Sequence, residues 1–129
     1  MGDEERRKYP RVQILDPISY LSLDSGGGMV QQNVAVVRNV SQTGIQIESF
    51  LEIRSKKLSL MFFDLHKNQI EVEGKVVYCK KNESGQYRIG IHLMGYEAEN
   101  LRFVRALVKS YHYQKEKSQL VISPGLQNS

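Results

Sequence analysis

Apolar and polar residues alternate through most of the first 93 residues, and this period of two predicts a series of short β-strands. In the first strand Val12, Ile14, Ile18 and Tyr20 share one parity, and a glycine-rich turn over 25–28 follows. Further strands are predicted over 29–39, 44–48, 57–65, 70–78 and 87–93. The fourth strand carries apolar residues on both parities, which predicts that both of its faces are covered.

After Gly95 the apolar period lengthens to three and four residues, which predicts an amphipathic helix over about 97–113. Six strands followed by one helix predict a mainly β fold, a six-stranded antiparallel β-barrel with a C-terminal α-helix that covers an opening or an edge. The expected domain spans 1–117 and includes an N-terminal arm over 1–11. The segment 118–129 has no periodicity and is predicted to be a loose tail.

Composition narrows the class of protein. With 129 residues, 40% of them hydrophobic and 25% charged, the chain is predicted to form one globular domain. No apolar run approaches the roughly 18–20 residues that cross a bilayer, so no membrane insertion is expected. The start is charged from Asp3 onward, unlike a signal peptide, and Cys79 is the single cysteine, so a cytoplasmic location is expected.

The usual sequence signals of catalysis are absent. His66, His92, His112 and Cys79 have no metal-ligand spacing, and no G-x-S-x-G elbow or phosphate-loop motif occurs. We therefore predict a protein that is not an enzyme and holds no metal. A net charge of +4 with 9% aromatic residues and no Trp is weak support for DNA or RNA binding, which is not expected.

Two short segments carry the candidate chemistry. Asn39-Val40-Ser41-Gln42-Thr43-Gly44 suits a hairpin turn, because Asn and Gly tolerate left-handed dihedrals and Ser bonds to nearby amides. Glu5-Arg6-Arg7-Lys8-Tyr9-Pro10-Arg11 is a basic run that, taken alone, is typical of a solvated arm. Arginine, however, grips phosphate oxygens and the O6/N7 edge of guanine with a planar fork. The two segments together therefore suggest an anion site.

Both segments resemble the signatures of the PilZ domain, the bacterial receptor module for cyclic di-GMP. Arg7 to Arg11 fits R-x-x-x-R, Asn39 to Gly44 fits D/N-x-S-x-x-G, and 27 residues separate them. Arg6 matches the doubled arginine common in that family, whose fold is also a six-stranded antiparallel barrel followed by a helix. The resemblance covers nearly the whole chain.

The resemblance implies a ligand site for cyclic di-GMP. Arg7 and Arg11 would take the phosphates and a guanine Hoogsteen edge, and Asn39 would bond a guanine edge. Ser41 would hold phosphate or the neighbouring backbone, and Gly44 would let the main chain approach the ligand. Where the family often has Asp, the Asn39 amide offers one acceptor oxygen beside a donor, so somewhat weaker binding is expected.

Two further positions are less specific. Tyr78 resembles the place where some family members set an aromatic ring against a base, but its parity with Ile70, Val72 and Val76 equally suits core packing. Gly90, on the polar face of the next strand, suits either a barrel bend or a close approach to ligand.

Three functions are compatible with these features. The first is a cyclic di-GMP receptor that changes conformation and signals to an unidentified protein effector. The second is a PilZ-like interaction adaptor that binds no nucleotide, and Arg7 and Arg11 count against it. The third is a general single-strand binder, supported by charge alone. A monomer and a dimer both stay open.

Overall fold

The computed structural model describes residues 12–24, 26 and 28–121, with the side chains at 12, 13, 29, 30 and 118–121 left aside. It confirms the six predicted strands and the helix that follows them. The elements are β1 (Val12–Leu23), β2 (Met29–Val40), β3 (Gly44–Ser49), β4 (Lys57–Phe63), β5 (Gln69–Lys81), β6 (Tyr87–Leu93) and α1 (Glu97–Val121).

The strands form a closed antiparallel barrel in the order β1-β2-β3-β6-β5-β4, with β4 returning to pair with β1. Each strand therefore pairs with two neighbours along part of its length, which limits the exposed strand edge available for edge-to-edge association. The interior is filled by alternate apolar side chains of the strands, including Ile47, Leu58, Leu60 and Ile89. Helix α1 contacts β1 and β5 and buries Phe103, Val104 and Leu107.

The prediction that β4 is covered on both faces is wrong for the chain as described. Leu58, Leu60 and Phe62 are buried, but Met61 is half-buried and Phe63 is 55% exposed. The reason is architectural, since the inner face of a barrel strand meets the core while its outer face meets solvent unless another layer covers it. Here the covering layer is one helix, and it contacts β1 and β5.

The helix runs to Val121, beyond the predicted end near 113, so its last residues overlap the segment expected to be loose. The apolar periodicity ends at Tyr111, and residues 112–117 are exposed. That final stretch is rich in Lys, Glu and Gln, which favour helix without tertiary packing, and the first proline after it is Pro124. Intrinsic propensity therefore extends the helix past the point where packing stops.

The described strands contain four register shifts, two between β1 and β2, one between β2 and β3, and one between β5 and β6. The last two are one-residue bulges beside the β3–β6 pair. Val37 pairs with Ile47 and Asn39 with Gln46, so Arg38 is an extra residue in β2. Val76 pairs with Ile91 and Tyr78 with Gly90, so Val77 is an extra residue in β5. A bulge reverses the parity of all residues beyond it.

These bulges decide the position of Tyr78. By strict alternation Tyr78 would share the inner face with Val72 and Val76, but the bulge turns it to the outer face opposite Gly90. The core-packing interpretation of Tyr78 is therefore wrong. Cys79 takes the inward place opposite Ile89 and packs against the core.

Asp16 is a carboxyl group buried inside the barrel. It shares the inner parity of β1 with Ile14 and Ile18, is 2% exposed, and its Oδ2 has no hydrogen-bond partner among the described residues. Desolvation by burial raises the pKa of Asp16 to about 6. Burial in the barrel therefore favours the protonated, neutral form of the Asp16 carboxyl group.

We predict that this group makes stability rise as pH falls from 7.5 to 5.0. The folded-state pKa of Asp16, about 6, lies above its ordinary value of 3.8, so its stabilising contribution is complete below 3.8 and is lost as pH rises through 6. Relative to Asp16→Asn, which cannot titrate, the wild-type unfolding free energy should gain about 1–1.5 kcal/mol over that interval. Urea unfolding of both proteins at the two pH values measures this, and parallel pH profiles would contradict it.

Candidate functional site

A recess of about 210 Å³ opens on the outer face of the barrel where the β2–β3 turn meets β5 and β6. It brings together five of the residues singled out from the sequence, namely Asn39, Ser41, Gly44, Tyr78 and Gly90. The remaining three, Arg6, Arg7 and Arg11, lie outside the described residues. Residues that the sequence reasoning missed also line the recess, above all Gln46 and His92.

The hairpin turn that forms one wall is closed by Ser41. Its backbone N–H donates to the Gly44 carbonyl at 2.8 Å, and its hydroxyl lies 3.3 Å from the same oxygen. Of the two roles expected for Ser41, this is the contact with neighbouring backbone. The hydroxyl oxygen keeps lone pairs that can still accept a hydrogen bond.

Gly44 lies close against the neighbouring strand of the barrel. A Cβ at this position would lie 2.7 Å from the carbonyl oxygen of Ile91 on β6, so the backbone of the β3–β6 pair would have to shift. The resemblance predicts that this glycine leaves room for a ligand, whereas the close neighbour in the structure is the adjacent strand. The small residue therefore lets β3 and β6 approach at the start of the turn.

A chain of hydrogen bonds crosses the floor of the recess. Asn39 Nδ2 donates to Gln46 Oε1 at 2.9 Å, and Gln46 Nε2 donates to the Tyr78 hydroxyl at 2.6 Å. Gln46 faces Asn39 across β2 and β3 only because the Arg38 bulge turns Asn39 outward. No motif marks Gln46, so it could be found from the sequence only by placing that bulge.

This chain sets which polar atoms face the recess. Both ends of the Gln46 carboxamide are engaged, so Asn39 points its Nδ2 at Gln46 and keeps Oδ1 as an acceptor. The Tyr78 oxygen accepts from Gln46, which leaves its own O–H proton to donate elsewhere. The floor therefore offers one acceptor and one donor, a pattern that can meet the edge of a purine base.

The Tyr78 ring lies directly over Gly90. A Cβ on Gly90 would collide with ring carbons of Tyr78, so this glycine is what allows the ring to lie flat across β6. The Lys80 ammonium is 5.8 Å from the ring centroid. An aromatic ring beside hydrogen-bonding groups is a suitable stacking surface for a nucleobase.

Two arginines share one glutamate on the surface beside the recess. Glu48, two residues beyond Gln46 on the same face of β3, lies 3.5 Å from Arg38 and 3.0 Å from Arg88.

Across residues 12–24, 26 and 28–121, no cluster of three or more metal-ligating side chains occurs. In the same part of the chain, no helix has the length and apolarity needed to cross a membrane.

The sequence matches the family model of the PilZ domain over residues 5–110. This chain belongs to the PilZ domain family. A search of curated proteins found no significant match.

Solved structures of PilZ proteins share the fold. The Bacillus subtilis inhibitor of motility (MotI/DgrA) aligns with a TM-score of 0.61 at 19% identity, covering 87% of this chain and 53% of that one. The PilZ domain of YcgR from Escherichia coli with c-di-GMP has a TM-score of 0.60 at 8% identity, covering 88% and 96%. The complex of K. pneumonia MrkH with c-di-GMP has 0.55 at 16%, covering 87% and 54%.

The present chain spans about half the length of MotI and of MrkH, and nearly all of the YcgR domain. At these identities the likeness is one of fold. The barrel with its C-terminal helix is thus the part shared with the longer proteins.

We predict that Gly44→Ala lowers folding stability in the absence of any ligand. Its Cβ would meet the Ile91 carbonyl oxygen, and relieving such a contact costs about 1–3 kcal/mol. Gly26→Ala is the matched control, because its Cβ would meet only an Asp24 carboxylate oxygen at an ordinary 3.6 Å. Thermal unfolding of both variants measures the difference, and equal midpoints would show that Gly44 is not needed by the barrel.

Proposed function

We propose that this protein is a receptor for cyclic di-GMP and that it signals to a protein partner. The observation that carries the proposal is the recess in which Asn39 presents an acceptor and Tyr78 presents a donor and an aromatic face, both oriented by Gln46. Guanine offers N1–H and N2–H donors beside its O6 acceptor and has a flat surface for stacking. Structures of the same fold include YcgR and MrkH in complex with c-di-GMP, which supports the same ligand class.

Chain connectivity brings the arginine motif within reach of the recess. Val12, the first residue of β1, pairs with Val40, and Gln13 pairs with Asn39. Arg11 immediately precedes Val12 in the chain. It is therefore bonded directly to the first residue of the β1–β2 pair, which also contains Asn39. Arg7 is five residues before Val12, so an extended chain places it within about 18 Å.

In the proposed complex, Asn39 Oδ1 accepts from a guanine N–H while the Tyr78 ring stacks on a base. Arg7 and Arg11 bind the phosphates or a guanine Hoogsteen edge through their guanidinium forks, with Arg6 beside them. A ligand held by both the barrel and residues 1–11 joins that segment to the barrel face. The surface formed in this way is the conformational change that a partner protein in the cytoplasm recognises and binds.

We predict that Arg7→Ala and Arg11→Ala each weaken cyclic di-GMP binding by about 1.5–3 kcal/mol, which is roughly 10- to 150-fold in Kd. Each change removes a charge-assisted and bidentate contact. Isothermal titration of the full chain measures it. Arg54→Ala is the matched control, since Arg54 is an exposed arginine past the far end of β3 from the turn.

Three results separate the alternatives. Loss of affinity in both motif variants but not in Arg54→Ala supports the proposal. Unchanged isotherms for both motif variants refute the assignment of the arginines. No heat of binding with the wild-type chain contradicts the receptor function and favours an adaptor that binds no nucleotide.

We predict that Gln46→Leu weakens cyclic di-GMP binding by about 1 kcal/mol, roughly fivefold, although Gln46 is assigned no ligand contact. Without the carboxamide, Asn39 and Tyr78 lose the two hydrogen bonds that orient them. Gln69→Leu, at the exposed start of β5, is the matched control. If titration gives the same Kd for Gln46→Leu as for the wild type, the orienting role of Gln46 is wrong.

A further inference from the structure

A second concave surface lies away from the recess, between helix α1 and the turn that joins β4 to β5. Its volume is about 590 Å³. We call it the helix groove and define it by its apolar residues Leu65, Ile70, Ala98, Leu101 and Ala106 and by three cations on α1. None of these residues lines the recess.

The floor of the helix groove is apolar and open. Leu65 is 44% exposed, Leu101 is half-buried, and Ala98 and Ala106 project no further than a methyl group from the helix. The alanines leave space on either side of Leu101 into which apolar side chains of another segment fit. Removing such side chains from water is favourable by about 25 cal/mol per Å² of apolar surface.

The rim of the helix groove is cationic. Arg102, Arg105 and Lys109 follow one another at spacings of three and four residues, so they stand in a row along one side of α1. All three are exposed, and none has a carboxylate within 4.0 Å among the residues that the structure describes. The row therefore carries three positive charges over about 10 Å of helix.

Within the described part of the chain, the single acid that lines the helix groove, Asp64, forms no ion pair with this row. Asp64 Oδ1 accepts from the backbone amides of His66 and Asn68 at 2.9 and 2.8 Å, and Oδ2 lies 3.3 Å from Asn68 Nδ2. The hydrogen bond from the Asn68 backbone amide is the main cause that holds the pKa of Asp64 below its ordinary value. The Asp64 carboxylate therefore stabilises the β4–β5 turn through these hydrogen bonds. Within the same turn, Lys67 has a left-handed backbone with a φ of 66°.

We propose that the helix groove docks an acidic amphipathic helix of a partner protein. Apolar side chains on one face of that helix would enter the floor, and Asp or Glu side chains would meet Arg102, Arg105 and Lys109. One cation per turn of α1 matches carboxylates on successive turns of a helix lying alongside it. A membrane surface fits less well, because the apolar residues line a concavity and do not protrude.

This proposal deepens the proposed function by giving the chemistry of the partner, and it rests on that function only for the link to ligand. Docking itself is tested without cyclic di-GMP. A failure to dock would therefore leave the titrations of the recess unaffected, and a failure of the recess to bind nucleotide would leave docking unaffected.

The experiment uses labelled synthetic helical peptides and fluorescence anisotropy with the full chain. One peptide has leucines on one face and glutamates flanking them, a second has the same residues in scrambled order, and a third has lysines in place of the glutamates. The acidic amphipathic peptide should bind, and the other two should bind at least tenfold more weakly. Binding should also weaken as salt is raised.

Reversing the charge of two arginines on α1 tests whether the cationic row determines which peptide binds. Arg102→Glu combined with Arg105→Glu should lose at least tenfold in affinity for the acidic peptide and gain affinity for the lysine peptide. Arg54→Glu, an exposed arginine outside the helix groove, should change neither. Circular dichroism checks that the reversed variant is folded, as expected for exposed positions.

Several outcomes would overturn the proposal. These are no binding of the acidic peptide, equal binding of the scrambled peptide, or no exchange of preference on charge reversal. Binding that appears only after removal of residues 1–5, which contain Asp3, Glu4 and Glu5, would mean that the chain's own acidic start occupies the helix groove. Stronger binding of the wild type to anionic lipid vesicles than to the acidic peptide would assign the surface to a membrane instead.

Discussion

The recess depends on two extra residues, one in β2 and one in β5. Arg38 in β2 and Val77 in β5 each add one residue to a ladder, and each reverses the parity of the residues beyond it. Without them Asn39 and Tyr78 would face the interior, where a carboxamide and a phenol need buried partners. With them, the same strands continue to fill the core through Val40 and Cys79 while they present polar groups outside.

The bulges lie on the two strands that flank the β3–β6 pair, so they converge on one patch of the outer face. Gln46 on β3 joins the two sides through its carboxamide, and Gly90 on β6 makes room for the Tyr78 ring. A rigid barrel therefore supports a small set of oriented groups. Orientation prepared before binding reduces the entropy that a ligand must overcome.

Much of the fold can be predicted from the period of the sequence. Alternation of two and then of three to four predicts the six strands, the closed antiparallel arrangement and the position of the helix, because burial of one face enforces those periods. The end of α1 cannot be predicted in this way, since its last turns depend on propensity after the apolar pattern has ended. The exposure of the outer face of β4 could not be predicted from the period either, because an apolar residue in a strand does not by itself show that another layer covers it.

The candidate site can be predicted in part. The motif from Asn39 to Gly44 lies where the turn is expected, because Asn, Ser and Gly have strong local preferences. Tyr78 cannot be assigned by parity, and Gln46 cannot be recognised at all, because both depend on bulges. A bulge depends on how two neighbouring strands pair, so it leaves no fixed pattern of residue types in the sequence of either strand.

The central claim is that one ligand joins the arginine motif to the recess. Amide hydrogen exchange with and without cyclic di-GMP tests it most directly, since exchange reports on residues 6–12 and on the strands at once. The account predicts strong slowing at Arg6 to Val12 when ligand is added, with little change at Ile89 and Ile91, which are already buried in β6. Equal exchange of Arg6 to Val12 in the two states, at a ligand concentration that saturates the chain, would contradict it.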